Sequence, residues 1–596
     1  MTIKQTILTG LLAVTAGAVL AQNEYAEIAR LRGLNESVHG IRSMTDGEHY
    51  TTLEANNILR YSYPSAAPGE SMLPAPAPNL VITDYAFSPD ERAILIASGR
   101  KPIYRHSYTT TYSLVRDNSV RPVLRDAESP RDASFSPDGQ KIAYSDRNDL
   151  YVYDIATQAT RRITDDGAWN TVINGTTDWV YEEEFGITKA YAFSPDSRRI
   201  AYLRFDESEV PLMEMMRFDG KLYNHAYSFK YPKAGERNSV VQLWIADLET
   251  GAKERIDTGS ETDQYIPRIG WTPDGRPWYY RLNRRQNTFE MLVCEPHGAQ
   301  RTVYDERAQQ YVERVDDKTV TFVDKDRFLV RQESHTGYMH LYLYSLRRGI
   351  LEQVTKGDWE VTDVVGTDGK RVWFLSTETS PLRRNLYSVR LDGKDKQRLT
   401  TGEGFYTAAP SAGMKYFITT FSNASTPNLT EICDAQGKPI RTLADSRELR
   451  EELAAANRPV HRARRLPERL YRQTPRLRPL AALPRAADPV FGPRLAVRTR
   501  PLVDGLGGRP RRQRLHRGLR RRPRHGIPGR EIQETDLRPP GCAGGRRPAF
   551  DGPLHGGTAL CRSGAHRHLR LVLRRVHGPE LRHEGPRAVQ DGDRRG

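Results

Sequence analysis

One turn recurs along this chain, and it limits the possible folds more than any other feature. DYAFSPDERAILIA (84–97), DASFSPDGQKIAYS (132–145), AYAFSPDSRRIAYL (190–203) and IGWTPDGRPWYYRL (269–282) each place an aromatic or apolar strand end before Ser/Thr-Pro-Asp and an alternating run after it. Pro fixes φ, and Asp followed by Gly or a polar residue reverses the chain, so each copy reads as two β runs joined tightly. The copies fall at irregular steps of roughly 45 to 80 residues. Short strands such as LYVYDI from Leu150, VQLWIADL from Val241, HLYLYSL from His340 and NLYSVRL from Asn385 lie between and beyond them. The pattern predicts an all-β chain, an eight-bladed β-propeller with insertions in its blades. Propellers serve as binding scaffolds and as lids on enzymes alike, so the repeat leaves function open.

The formal net charge is +16, a balance that suits a nucleic-acid partner. The charge is unevenly spread, however. From Pro459 onward Arg is dense, as in RRQRLHRGLRRRPRHG from Arg511, Lys is absent, Ile occurs only at Ile527 and Ile532, and Tyr only at Tyr471. Arg outnumbers the acids about threefold there, which leaves the rest of the chain mildly acidic. The tail also lacks the interleaved aromatics of single-strand binders.

The first residues, MTIKQTILTGLLAVTAGAVLAQ, read as a secretory signal. Lys4 supplies the positive region, Ile7 to Leu20 is too short to span comfortably, and Val19-Leu-Ala21 fits a cleavage site. The expectation is a signal peptide over 1–21, a mature chain from near Gln22 that is secreted or periplasmic, no membrane span after cleavage, and no nucleic-acid partner. Cys294, Cys433, Cys542 and Cys561 are widely spaced without a C-x-x-C, so neither a zinc knuckle nor a disulfide framework is indicated. No metal or cofactor is implied.

Within the acidic body, DWVYEEEFG (178–186) sets three carboxylates, Glu182, Glu183 and Glu184, behind a Trp-Val-Tyr run. Three glutamates alone fit a solvated face or the acidic first turn of a helix. Asp178, Trp179 and Tyr181 instead make the entry amphipathic. Two adjacent carboxylates on a short helical turn suit the clamping of one ammonium group by charge-assisted hydrogen bonds, and a free peptide N-terminus is such a group.

The wider stretch NGTTDWVYEEEFG resembles the glutamate motif of the dipeptidyl peptidase IV family, prolyl oligopeptidase-type serine exopeptidases that remove X-Pro or X-Ala dipeptides from N-termini. RHSYTTTYSL from Arg105, YLRFDESEVPL from Tyr202, YPKAGERNSVV from Tyr231, TKGDWEVTDV from Thr355 and RNLYSVRL from Arg384 resemble further family segments in the same order. The resemblance runs roughly from residue 25 to 457. It implies that Glu183 and Glu184 bind the substrate's α-ammonium and that Arg105 holds the carbonyl between its first two residues, as a fixed fork of donors. Two carboxylates that hold the chain end measure off two residues. The implied organisation is a signal peptide over 1–21, an N-terminal helical segment over 22–50, the propeller over 51–457 and a separate tail over 458–596. Glu24 to Gly40 would belong to the side of the family's hydrolase domain. Homodimers, frequent in the family, are not expected here because their contacts use that domain.

The family's hydrolase domain carries a Gly-Trp-Ser-Tyr-Gly-Gly nucleophile elbow, then Asp, then His. No G-x-S-x-G occurs in this chain, and the composition breaks where that domain should begin. Permitted codons for the tail, read one base further on, restore the family's segments. HRHLRLVLRRVHGP from His566 permits TGIYGWSYGGYMA, with the elbow near Val572. DPVFGPR from Asp488 permits TQYSGP, HRGLRRRPRHGIP from His516 permits TVACVDGRGTGFR, and EIQETDLRPPG from Glu531 permits FKKQTYAHLG. All four resemble hydrolase segments in family order and in one shifted frame. Residues 458–596 are therefore read as a frameshifted, largely disordered tail in which His566, His568, Ser563 and the Arg clusters carry no selected role. The expected polypeptide keeps peptide recognition and has no catalytic residue in frame. The alternative is a non-catalytic periplasmic propeller that binds peptides or protein partners.

Overall fold

Each Ser/Thr-Pro-Asp copy closes a hairpin through its own hydroxyl. Ser88 donates to Asp90 at 2.6 Å and accepts the backbone N–H of Ala93 at 2.9 Å. Ser136 binds Asp138 and the Lys141 N–H in the same way, Ser194 binds Asp196 and Arg199, and Thr272 binds Asp274 and Arg276. All four hydroxyl residues are buried, so the pairing meets the requirement that buried polar groups be hydrogen-bonded. The residue after Asp is left-handed each time, with φ of 57° at Glu91, 69° at Gly139, 60° at Ser197 and 85° at Gly275. That is why Gly stands at two of the copies.

The computed structural model describes residues 26–74, 80–313 and 315–456. The expected signal peptide and the tail from 458 lie outside the described residues, as do Cys542 and Cys561. The described strands build an eight-bladed propeller. Its four- or five-stranded antiparallel sheets run over Arg42–Ser71, Ile82–Val123, Arg131–Arg162, Val172–Ile256, Gln264–Arg307, Val320–Gln353, Val361–Arg398 and Phe405–Ala444, here blades 1 to 8. The short strands expected from the sequence are the next-to-last strands of blades 3, 4, 6 and 7.

The first blade begins at Arg42, inside the segment 22–50 expected to be helical. Among the described residues of that segment, helix α1 covers 26–33. HYTTLEANNILRYS folds back as a hairpin whose two central turn residues, Ala55 and Asn56, are both left-handed at 46° and 64°. That conformation matches the twist of paired strands.

Each blade uses consecutive strands, so the ring closes through side chains between blades 8 and 1. Tyr63 stacks on Tyr416 at 5.3 Å, Tyr50 packs with Ile418 and Ile432, Arg441 donates to the Ser62 carbonyl at 2.8 Å, and Lys415 pairs with Glu48 at 2.6 Å. Beside this seam α1 meets the last described helix, Arg447–Ala456. Arg30 reaches Glu452, and the Glu36 carboxylate accepts the N–H groups of Asp445 and Ser446. Cys294 and Cys433 are buried free thiols, and burial pushes the Cys294 pKa up to about 12.

Blade 4 carries two insertions that build the site. Helix α2 (Trp179–Phe185) lies between its strands Val172–Asn174 and Tyr191–Phe193, and a hairpin, Leu212–Arg217 with His225–Lys230, lies between Arg199–Asp206 and Val240–Asp247. The strand after each Ser/Thr-Pro-Asp turn runs to the opposite end of its blade, where Arg105 follows Ala93–Pro102 and the inserted hairpin follows Arg199–Asp206. Helix α2 reaches the same face, since Glu183 meets Arg105 there.

Candidate functional site

DWVYEEEFG folds as a seven-residue helix fixed at both ends. Asp178 is the N-cap. One carboxylate oxygen accepts the Tyr181 N–H at 2.9 Å and the other accepts Ser239 Oγ at 2.6 Å. Burial holds its carboxyl above the usual carboxylate range, against the pull of those donors. Gly186 ends the helix at φ 67°, a left-handed cap that favours glycine. The aromatic residues of the motif anchor the inner side. The Tyr181 hydroxyl accepts the Ile266 N–H at 2.7 Å from blade 5, and its ring packs edge-on against Phe205. On the outer side Trp179 meets Tyr231 of the inserted hairpin at 4.3 Å between centroids.

The three glutamates have three different surroundings. Glu182 is 1 % exposed, and its Oε1 accepts the backbone N–H groups of His106 at 2.7 Å and Ser107 at 2.9 Å. Glu183 meets Arg105, with Nε at 2.9 Å from both carboxylate oxygens and a terminal nitrogen at 2.7 Å from one of them. The hydrogen bond to Glu183 raises the Arg105 pKa further above its ordinary value. Glu184 is exposed on the next helical position. The Arg105 side chain is 42 % exposed and that of Glu183 13 %, so the pair stands at the mouth of the site, with one partner open and one shielded.

Of the three residues singled out in the sequence, the structure joins Arg105 and Glu183 and leaves Glu184 exposed at the next helical position. Nothing in the sequence marks out a separate role for Glu182. Its partners are backbone N–H groups 75 and 76 positions away, and backbone donors leave no trace in residue identity. Among the described residues no group of three or more His, Cys, Asp or Glu is placed to hold a metal ion, and no helix is long and apolar enough to cross a membrane.

The family described as dipeptidyl peptidase IV (DPP IV) N-terminal region matches residues 88–428, which contain both blade-4 insertions and the Arg105 loop. The chain belongs to the dipeptidyl peptidase IV family. It is 30 % identical over 400 residues to dipeptidyl peptidase 4 of Trichophyton rubrum, covering 62 % of this chain and 50 % of that protein. Dipeptidyl peptidase 4 of Arthroderma otae is 31 % identical over 400 residues with the same coverage. The crystal structure of Porphyromonas gingivalis dipeptidyl peptidase 4 superimposes with a TM-score of 0.67 at 34 % identity, over 71 % of this chain and 62 % of that one. The chain spans about half the length of these two curated relatives. What the dipeptidyl peptidase IV match covers is the N-terminal propeller region.

Proposed function

We propose that this chain is the substrate-recognising propeller of a dipeptidyl peptidase IV-type serine exopeptidase. Glu183 and Glu184 take the α-ammonium of a peptide N-terminus, and Arg105 takes the carbonyl between its first two residues. The observation that carries this reading is the pairing of Arg105 with Glu183 at the mouth of the site. The pair neutralises itself, so an arriving ammonium adds to a site already organised rather than creating one. An amine held by carboxylates on adjacent helical positions and a carbonyl held by the neighbouring guanidinium together fix a short distance from the chain end. The names of the relatives support the substrate class.

In this reading the catalytic serine is encoded one base out of frame near Val572, and the polypeptide as translated recognises N-termini without cutting behind them. It is exported through its leader over 1–21 to the periplasm or the exterior, and the Arg-rich tail has no nucleic-acid partner. The lack of any in-frame G-x-S-x-G also favours the second reading, a propeller that binds peptides or protein partners with no hydrolysis.

Calorimetric titration of the full chain with a Gly-Pro-headed peptide tests the recognition half. Binding is expected, and is expected to vanish when the peptide is N-acetylated or when Glu183→Ala is introduced. Equal affinity for free and acetylated peptide would refute the clamp. Release of arylamine from a Gly-Pro arylamide tests the other half. It is expected only after the frame is restored by one base, and release by the unaltered chain would overturn the inactivity.

A further inference from the structure

The first strands of blades 3, 4 and 5 border an open cavity of about 380 Å³, a size typical of small-molecule sites. Phe135, Tyr191, Phe193, Leu203 and Ile269 supply the apolar part of its walls, a little over half of the lining. Three charged residues line it, Lys189, Arg268 and Asp317. Arg268 is fully engaged. It pairs with Asp317 and donates to the carbonyls of Pro267 at 2.7 Å and Phe185 at 3.0 Å.

Lys189 is different. Among the described residues its ammonium has no carboxylate at ion-pair distance and no carbonyl at hydrogen-bond distance, and the group it does face is the Tyr191 ring, 5.4 Å from Nζ. The acids whose charges reach it are committed elsewhere. Asp132 accepts Thr188 Oγ1 at 2.6 Å and Thr176 Oγ1 at 3.2 Å, and Asp317 holds Arg268. The surrounding protein lowers the Lys189 pKa, although the side chain remains open to the water of the cavity. Lys189 is exposed toward the cavity, with one aromatic face beside its ammonium, so an anion there gains a charge partner that water still partly screens. One ammonium balances one negative charge, whereas a phosphate dianion would be only half compensated. The walls call for an apolar body behind that charge.

We propose that this cavity binds a small monocarboxylate with an apolar or aromatic body, its carboxylate on Lys189 Nζ and its body against Phe135, Phe193 and Ile269. The site is separate from the glutamate clamp but adjoins its support. Ile187, just past the helix cap, lines the cavity, and Arg268 holds the last carbonyl of α2.

N-acetylphenylalanine tests this independently of N-terminus recognition, since it carries the carboxylate and the aromatic body but no free amine. Titrated into the full chain and followed by ligand-observed NMR, it is expected to bind saturably in the millimolar range or tighter, and its amide, which lacks the charge, about tenfold or more weakly. Lys189→Met is expected to reduce binding of the acid to the level of the amide, and Lys189→Arg to keep it. Failure of the acid to saturate, equal binding of acid and amide to the unaltered chain, or undiminished binding in a folded Lys189→Met protein would each overturn the proposal.

Discussion

Glu182 and Ser107 meet at 2.9 Å, a buried carboxylate oxygen accepting a backbone N–H from a loop of another blade, and the same oxygen takes the His106 N–H at 2.7 Å. These two bonds tie the loop that presents Arg105 to the helix that presents Glu183. Glu182→Ala strands the buried Ser107 N–H and the part-buried His106 N–H, and is expected to lower unfolding free energy by about 1–3 kcal/mol. Glu182→Gln keeps an acceptor oxygen in place and is expected to lose less than half as much. Urea unfolding of the two variants beside the parent measures both, and equal losses would show that the carboxylate charge, rather than its acceptor geometry, holds the loop.

The Arg105–Glu183 pair supplies a second prediction. Lys can replace the charge of Arg but not its fork of donors, and Arg105 here presents Nε and a terminal nitrogen together. Arg105→Lys is expected to weaken binding of a peptide with a free N-terminus about tenfold while leaving the melting temperature unchanged within about 2 °C, since the pair is half exposed. Calorimetry and a thermal scan on one preparation read both quantities.

Glu207 carries a pH dependence. Burial, with the Asp178 charge adding to it, pushes its carboxyl up to about 7 from 4.5. The folded state therefore holds this proton more tightly than the unfolded chain. The associated stability is fully present below pH 4.5 and is lost as pH rises toward about 7, by at most about 3 kcal/mol. Glu207→Gln stays neutral throughout, so its stability relative to the parent is expected to rise between pH 5 and pH 8. Chemical denaturation at those two pH values checks the sign. A gap between variant and parent that stays constant would mean that the carboxyl does not titrate in this window.

The repeated turn makes a fourth. Ser194 is fully buried, donates to Asp196 and accepts the Arg199 N–H at 2.9 Å. Ser194→Ala is expected to cost about 1–3 kcal/mol by stranding that N–H. Pro195→Ala removes no hydrogen bond and is expected to cost less than 1 kcal/mol, through unfolded-chain entropy alone. The ranking of the two in thermal unfolding tests whether hydroxyl or proline defines the turn.

That ranking bears on what could be read from the sequence. Blades 2 to 5 announce themselves through Ser/Thr-Pro-Asp, but blade 8 makes the same turn without it. Ser411 accepts the Tyr416 N–H at 3.0 Å, and Met414 is left-handed at 60°. The shared element is a buried hydroxyl, and a lone serine is too common to stand out. Blade 1 was hidden for a different reason. Its matching turn has Asp46 and a left-handed Gly47 at 68°, but Met44 stands where the hydroxyl would be, and its next turn rests on Ala55 and Asn56. Arg105 and Glu183 were legible because each sits in a motif, and the structure joins them across 78 positions. Glu182 and Lys189 were not legible. The role of the first lies in backbone partners, and that of the second depends on where three separate blades bring their first strands together.

The seam between blades 8 and 1 gives the ring a clasp. Within every blade the hydrogen bonds join strands that are near neighbours in the chain, so each sheet can assemble from local hairpins, and the loop-closure cost of joining distant segments falls on the clasp. The Tyr63–Tyr416 stack and the Lys415–Glu48 pair span more than 350 positions each. In folding, the circle is then expected to be the last thing made. Under stress it is the place to part first, since an opening there breaks side-chain contacts and leaves all eight sheets whole.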